Sequence, residues 1–345
     1  ISACLVGSEM CIRDRYNAPV VGPLPNNTLM HVGVSFKINQ ALLNQLDSQK
    51  VKSGQSTDLS KFANQIGISD QTYQQIKDLF GVTDAQLKLN KLHSYLGISA
   101  KAQTFAAVFQ THFVLHKLNG RTYYIPATPP KLPTSFAKYI TAITGLDNFT
   151  PPPQFHSYAN AHTSVMHTHP AADCSASNAV VPDQVAHAYQ YDRFWQHGWH
   201  GEGMTVNLVE ASTIDSNDIQ NYFNCVNFRG SFKTVDVDNP ATLDNADFAF
   251  EATLDVDMIA GLAPASNIVM YQTDPSVAQS DSDFWTLIND ELQQIINDNA
   301  NNTSSGSVVS ISFGEAEGGF TSDVVTAIDQ SLQTLKQSEH MSVFV

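Results

Sequence analysis

The stretch FEATLDVDMIAGLAPASNIVMY, residues 250–271, encodes a helix that is followed directly by a strand. Its first part mixes small and apolar residues with acids at helical spacing, and its last part opens a continuous apolar run, residues 267–273, that is typical of a buried strand. Buried strands that alternate with helices form parallel sheets. The stretch therefore predicts an α/β domain.

The residues on either side repeat this pattern. Further apolar runs occupy residues 204–212 and 307–314, another begins at Met341, and helical stretches separate them. We expect a parallel sheet with helices on both faces, in a domain that covers residues 183–345. Because the chain ends at Val345 inside the last run, we expect this sheet to be incomplete.

The N-terminal part has a different organisation. A helix is predicted between a Ser69 N-cap and a Gly81 stop, and Asn119-Gly120 between two strand patterns marks a hairpin. Helices and strands mixed in this way predict an α+β domain over residues 16–150.

The two domains are joined by a segment without apolar periodicity. Residues 151–182 are rich in Pro, Ala, Ser and His, which predicts an exposed linker that is open to proteolytic cleavage. Three interpretations of its histidines remain: a metal site using His167-x-His169, a pH-responsive hinge, or a polar linker without a further role. The four histidines concerned are His156, His162, His167 and His169.

The first residues have no pattern in common with the rest. Residues 1–15 end in MCIRDR, which resembles one reading frame of a transposase sequencing adapter, so we expect an assembly artefact there. Two cysteines then remain, Cys174 and Cys225, which form either a disulfide or two free thiols.

Composition limits the classes of partner. The chain has 345 residues and a net charge of −15, with 33 acidic and 18 basic residues, which argues against nucleic acid. It contains no run of about 18 apolar residues, so we expect no membrane span. Low Lys and Arg content favours a secreted protein or one from an acidic compartment, although an ordinary acidic soluble protein fits the composition equally well.

Glu251 and Asp255 are the residues most indicative of chemistry. They lie four positions apart and therefore project from one helix face, while Asp257 faces elsewhere. Spacing alone favours a solvated acidic face, but like charges at this spacing oppose the helix. The surrounding residues are apolar, which predicts raised or shared carboxyl pKa values. They are Phe248, Phe250, Ala252, Leu254, Met258 and Ile259.

Several segments resemble the sedolisin family, the serine-carboxyl peptidases. The helix and strand of residues 250–271 resemble the family's Glu-x-x-x-Asp segment, GWHGEGMTVNLVEAS its first catalytic-domain strand, and VVSISFGEAE its substrate-binding loop. Residues 105–148 resemble the end of the family's propeptide. The resemblance extends from about Met30 to Val345.

The resemblance implies a subtilisin-like α/β fold behind an inhibitory, ferredoxin-like propeptide that contacts the catalytic domain of its own chain. The implied reaction is hydrolysis of polypeptides through an acyl-enzyme at acid pH, in a secreted or lysosome-like compartment. Glu251 would be the general base for a serine, Asp255 would orient it and share its proton, and Glu210 would be an accessory carboxylate. The residues implied in binding substrate are Ser310, Ser312 and Gly314.

The sequence also departs from the family. The nucleophilic Gly-Thr-Ser motif and the oxyanion-stabilising Gly-Asp-Ser-Gly motif are not in this chain, and neither are the Asp and carbonyl ligands of the expected calcium site. We expect a zymogen fragment that is inactive alone and whose full-length form is a peptidase. The alternative is a naturally truncated, non-catalytic inhibitor or binding protein.

Overall fold

The computed structural model describes most of the chain outside its first residues and the predicted linker. The ranges are 18–53, 58–150, 182–273, 284–300, 307–314, 319–337 and 340–345. The predicted artefact and the linker with its histidines and cleavage point, apart from Pro182, lie outside the described residues. No helix within these ranges is long and apolar enough to cross a lipid bilayer.

The described residues form eleven helices and twelve strands. The helices are α1 (Gln40–Ser53), α2 (Ala63–Ile66), α3 (Asp70–Phe80), α4 (Ala102–Val108), α5 (Thr134–Ala137), α6 (Pro182–Ala188), α7 (Asp192–Gln196), α8 (Ser216–Val226), α9 (Ala246–Leu262), α10 (Phe284–Asn299) and α11 (Ser322–Gln337). The strands are β1 (Val20–Pro23), β2 (Leu29–Phe36), β3 (Leu87–Leu89), β4 (Tyr95–Lys101), β5 (Phe113–Leu118), β6 (Arg121–Pro126), β7 (Ile140–Thr144), β8 (Thr205–Glu210), β9 (Phe232–Asp236), β10 (Asn267–Gln272), β11 (Ser307–Ile311) and β12 (Ser342–Phe344).

The chain divides into two compact units, each of which combines segments that are distant in the sequence. Unit 1 comprises residues 1–152, 275–305 and 314–341, and unit 2 comprises residues 153–274, 306–313 and 342–345. Helices α10 and α11, which the sequence places in the second domain, therefore pack within unit 1. The boundaries at 150 and 183 stay a prediction.

Unit 1 is built on a four-stranded antiparallel sheet with the order β3-β4-β2-β7. With α3 after β2 and α4 after β4, this is the strand order of a βαββαβ, ferredoxin-like arrangement, as expected. A second antiparallel sheet, β1-β5-β6, includes the predicted hairpin. Its turn residues Asn119 and Gly120 have φ angles of 50° and 87°, which is the conformation that a two-residue hairpin loop requires.

The predicted helix boundaries in unit 1 are confirmed at α3. The Ser69 hydroxyl accepts the Thr72 backbone N–H at the helix start. Gly81 ends the helix in the left-handed conformation, where its N–H bonds to the carbonyls of the last turn. At the start of the 3-10 turn that follows, the Gln86 side chain accepts the Thr83 backbone N–H, as in a capping box.

One face of the four-stranded sheet is apolar and forms the core of unit 1. Alternate residues of β2, from Met30 to Phe36, pack against α3 and α4. Phe80, Phe105 and Phe109 meet there with ring centroids 5.9 to 6.4 Å apart. Each such buried side chain contributes about 2 kcal/mol, so this face holds the sheet and helices together.

The other face of the sheet is polar and is buried by α10 and α11. Asp290 of α10 pairs with His31 Nε2 at 2.7 Å and accepts a hydrogen bond from the Tyr95 hydroxyl at 2.5 Å. Gln293 of α10 accepts a hydrogen bond from Asn90 Nδ2 at 2.7 Å. This contact therefore depends on buried hydrogen bonds, whose partners must stay paired.

Unit 2 contains a five-stranded parallel sheet with the order β12-β11-β8-β10-β9. This confirms the parallel α/β sheet that the apolar runs predict. Helices α8 and α9 pack on it through a core that includes Leu208, Ile219, Ala252 and Met270. Cys225 of α8 is disulfide-bonded, and the other cysteines of the chain lie outside the described residues, so the pairing with Cys174 stays a prediction.

Candidate catalytic site

Helix α9 carries the predicted pair, Glu251 and Asp255. The Asn245 side chain caps its first turn by accepting the backbone N–H groups of Asp247 and Phe248. The small residues Ala252, Val256 and Ala260 follow one side of the helix and are fully buried against the sheet. This close packing fixes which side of α9 faces the ends of the strands.

The apolar residues around the pair do not all enclose it. Phe248 is buried, but Phe250, Leu254 and Met258 are 67%, 42% and 40% exposed. They follow one another at four-residue intervals and form an outward stripe on α9. The expectation that they surround the acids is wrong, because only the opposite stripe of the helix contacts the sheet.

Two strand ends supply the polar surroundings of Asp255. Strands β8 and β11 are parallel neighbours in which Ile311 is paired with Val209. Glu210 ends β8 and Ser312 directly follows β11, so both residues lie at the same edge of the sheet. The Ser312 hydroxyl donates a hydrogen bond to Asp255 Oδ2 at 2.5 Å.

Glu210 is the most buried acid of the group, with an exposed fraction of 0%. Burial, followed by the nearby charges of Asp255 and Glu251, raises the pKa of Glu210 well above its ordinary value. The interaction between Glu210 and Asp255 raises the pKa of Glu210 and lowers that of Asp255. Glu210 is therefore a buried acid beside Asp255 rather than a solvent-facing acid at a strand end.

Asp255 and Glu251 also titrate above their ordinary ranges. Burial raises the pKa of Asp255, and the hydrogen bonds from Ser312 and Glu210 oppose this increase. Burial raises the pKa of Glu251, with a smaller contribution from the Asp255 charge. The three carboxyl groups thus hold fewer negative charges than three separate acids would at mildly acidic pH.

The remaining predicted residues are less involved in this cluster. Ser310 lies two residues before Ser312 on the same face of β11, and within the described ranges its side chain makes no hydrogen bond to these acids. Gly314 is exposed beyond the strand end.

Asp257 faces α8, where burial, and then Asp218, raises its pKa to about 7. This confirms the expectation that Asp257 points away from the pair.

Comparison with known families concerns the N-terminal part of the chain. Residues 18–149 match the family model described as Pro-kumamolisin, activation domain. Residues 18–149 are therefore similar to a sedolisin-type propeptide. The propeptide comprises all strands of the two antiparallel sheets in unit 1, and its presence implies an intramolecular contact with a catalytic domain. A search of curated proteins finds no match to this chain.

Sequence reasoning missed two features of the protein. It assigned Ser312 to substrate and did not place it on Asp255, because that hydrogen bond joins residues separated by 57 positions. It also missed the buried group of His31, Tyr95 and Asp290. The available signal was the alternation of polar and apolar residues in LMHVGVSF, which marks a polar face but does not show what covers it.

A partly buried acid in unit 1 gives a prediction about stability. Burial, and then Asp147, raises the pKa of Asp323 in α11 to about 7. The folded protein therefore holds this proton more tightly than the unfolded chain, and stability is lost as pH rises from about 4 through 7. Asp323→Asn should raise the thermal midpoint by several degrees at pH 7.5 and leave it nearly unchanged at pH 4.

Asp329→Asn is the matched control for Asp323→Asn, since Asp329 lies on the same helix, is exposed and accepts a hydrogen bond from Gln333 four residues away. It should change the midpoint little at either pH. Equal stabilisation by Asp323→Asn at pH 4 and 7.5 would contradict the assigned protonation.

Proposed function

We propose that this chain is the zymogen form of an acid-active serine-carboxyl endopeptidase, in which residues 16–150 are the inhibitory propeptide. The observation that carries the proposal is the group of three acids, Glu210, Glu251 and Asp255, at the ends of parallel strands in the same chain as a segment similar to a sedolisin-type propeptide. The proposal includes a subtilisin-like fold for the complete catalytic domain. It also includes polypeptide substrates and maturation by cleavage within residues 151–182.

In the proposed reaction, Glu251 accepts the proton of a serine hydroxyl while that oxygen attacks the peptide carbonyl. The same proton then passes to the leaving amine as the acyl-enzyme forms, and water hydrolyses the acyl-enzyme. Asp255 orients Glu251, and Glu210 contributes a neutral donor. Because the carboxyl group of Asp255 lies beside Glu210 and Glu251, the cluster works while it retains protons, which favours acid pH.

The proposal requires parts that this chain does not contain. The serine, the oxyanion-stabilising aspartate and the calcium ligands would belong to the full-length protein. We propose a secreted or lysosome-like location, in keeping with the acidic composition and the propeptide. The 345-residue chain alone should not hydrolyse peptides.

The test uses the full-length protein, incubated at pH 4 and at pH 7. We expect the propeptide to be removed by cleavage between residues 151 and 182 at pH 4, followed by turnover of a denatured-protein substrate. At pH 7 both should be at least about tenfold slower. Absence of peptidase turnover by the full-length protein across pH 3–7 would contradict the proposed function. Peptide hydrolysis by the 345-residue chain would contradict the expectation that this chain alone is inactive.

The absence of the Gly-Thr-Ser and Gly-Asp-Ser-Gly motifs from this sequence favours one second candidate. Under it, the chain is a non-catalytic inhibitor that binds a peptidase of the same family through its propeptide. Inhibition in trans of such a peptidase by the 345-residue chain, together with a stop codon directly after Val345 in the genomic sequence, would favour this candidate. An open reading frame containing both motifs would favour the zymogen.

A further inference from the structure

Ser312 occupies a position from which its side chain reaches Asp255. It directly follows β11, whose register with β8 places it beside Glu210. Its hydroxyl donates to Asp255 Oδ2 at 2.5 Å, a short distance for an O–H donor to a carboxylate. The hydroxyl hydrogen of Ser312 is therefore used in the hydrogen bond to Asp255.

We propose that Ser312 is a positioning residue that fixes the orientation and the ionised state of Asp255, an inference that rests on the proposed peptidase function. The groups facing Asp255 are Glu210 from β8, Glu251 from its own helix and Ser312 from the end of β11. Ser312 donates to Asp255, and Glu210 interacts with Asp255 from the end of the neighbouring strand. The hydroxyl of Ser312 stabilises the negative charge on Asp255, while the deeper burial of Glu210 favours the protonated form of Glu210.

The consequence of losing Ser312 follows from this arrangement. Without its hydroxyl, one oxygen of Asp255 would be partly buried and without its charge-assisted hydrogen bond. A proton on Asp255 would then be favoured, since burial already opposes its charge. Asp255 would also be free to rotate about its side-chain bonds, and Glu251 would lose a fixed neighbour.

The first experiment follows the carboxyl carbons of Asp255 and Glu210 by NMR in the 345-residue chain during titration from pH 3 to 8. In Ser312→Ala, Asp255 should become half-protonated at a proton concentration about tenfold lower than in the wild type. Ser312→Thr, which keeps the hydroxyl, should restore the wild-type titration. Ser310→Ala is the matched control on the same strand face and should leave it unchanged.

The second experiment measures peptide hydrolysis by the full-length protein. Ser312→Ala should lower kcat and shift the pH profile of kcat toward higher pH, while KM stays within about twofold. Loss of a substrate contact would instead raise KM. An unchanged titration of Asp255, or a raised KM with an unchanged pH profile, would overturn the inference. If the wild-type enzyme has no peptidase activity, the proposed function fails, and the titration decides the role of Ser312 independently.

Discussion

Glu251→Gln in the full-length protein is expected to lower kcat for peptide hydrolysis at pH 4 by about 1,000-fold, within the range for loss of a general base. Glutamine has nearly the same shape as glutamate but cannot accept the serine proton. KM should change little, because the amide still fills the same space. Removal of the propeptide should slow in parallel if maturation depends on the enzyme's own site. Both quantities are measurable on the purified precursor.

The control for this substitution is Asp247→Asn. Asp247 lies one turn earlier on α9, is exposed, and is not part of the carboxyl cluster. We expect activity within about twofold of wild type and an unchanged helix signal by circular dichroism for both variants. If Glu251→Gln retains more than a tenth of wild-type kcat, Glu251 is not the base.

Asp290→Ala is expected to have the largest effect on stability. It removes the common partner of His31 and Tyr95 on the polar face of the propeptide sheet, where all three side chains are buried. Without the Asp290 carboxyl group, the His31 ring and the Tyr95 hydroxyl stay buried and lose this partner, at a cost of about 1–3 kcal/mol each. The thermal midpoint of the 345-residue chain at pH 6 should therefore fall by about 10 °C.

Two further variants make this expectation specific. Asp298→Ala changes an exposed acid on the same helix, α10, and should shift the midpoint by no more than about 2 °C. A triple variant, His31→Leu, Tyr95→Phe and Asp290→Leu, removes the polar groups together and should recover part of the loss. Equal effects of Asp290→Ala and Asp298→Ala would show that the buried contact contributes little.

The face of the four-stranded sheet that contacts α10 and α11 is polar. The face of β2 and β4 that α10 and α11 cover presents His31, Ser35, Tyr95 and Ser99 to them, while the apolar core lies on the opposite face. Water can solvate such a face if the helices separate from it, whereas an exposed apolar face would favour aggregation. If residues 18–149 leave these helices during maturation, as the proposed function requires, this face can become solvated without unfolding of the sheet.

The sequence alone determined the local structure and the chemical character of the site. The helical period of 3.6 residues places Glu251 and Asp255 on one side of α9, and the continuous apolar runs predict the parallel strands that the structure contains. Ser69, Gly81 and Asn119-Gly120 specify helix ends and a turn because each acts on its immediate neighbours. Such features depend on a few consecutive residues and can therefore be derived from the printed sequence.

The tertiary structure decided which groups meet. Ser312 and Glu210 reach Asp255 only because β11 and β8 are parallel neighbours, and strand order is set by packing between distant segments. The alternation of polar and apolar residues in β2 predicts that its two faces differ. Only the tertiary structure shows that Asp290 of α10 packs against the polar face. The physical reason is that periodicity fixes the direction of a side chain relative to its own helix or strand, whereas burial, hydrogen bonding and pKa depend on the element packed against it.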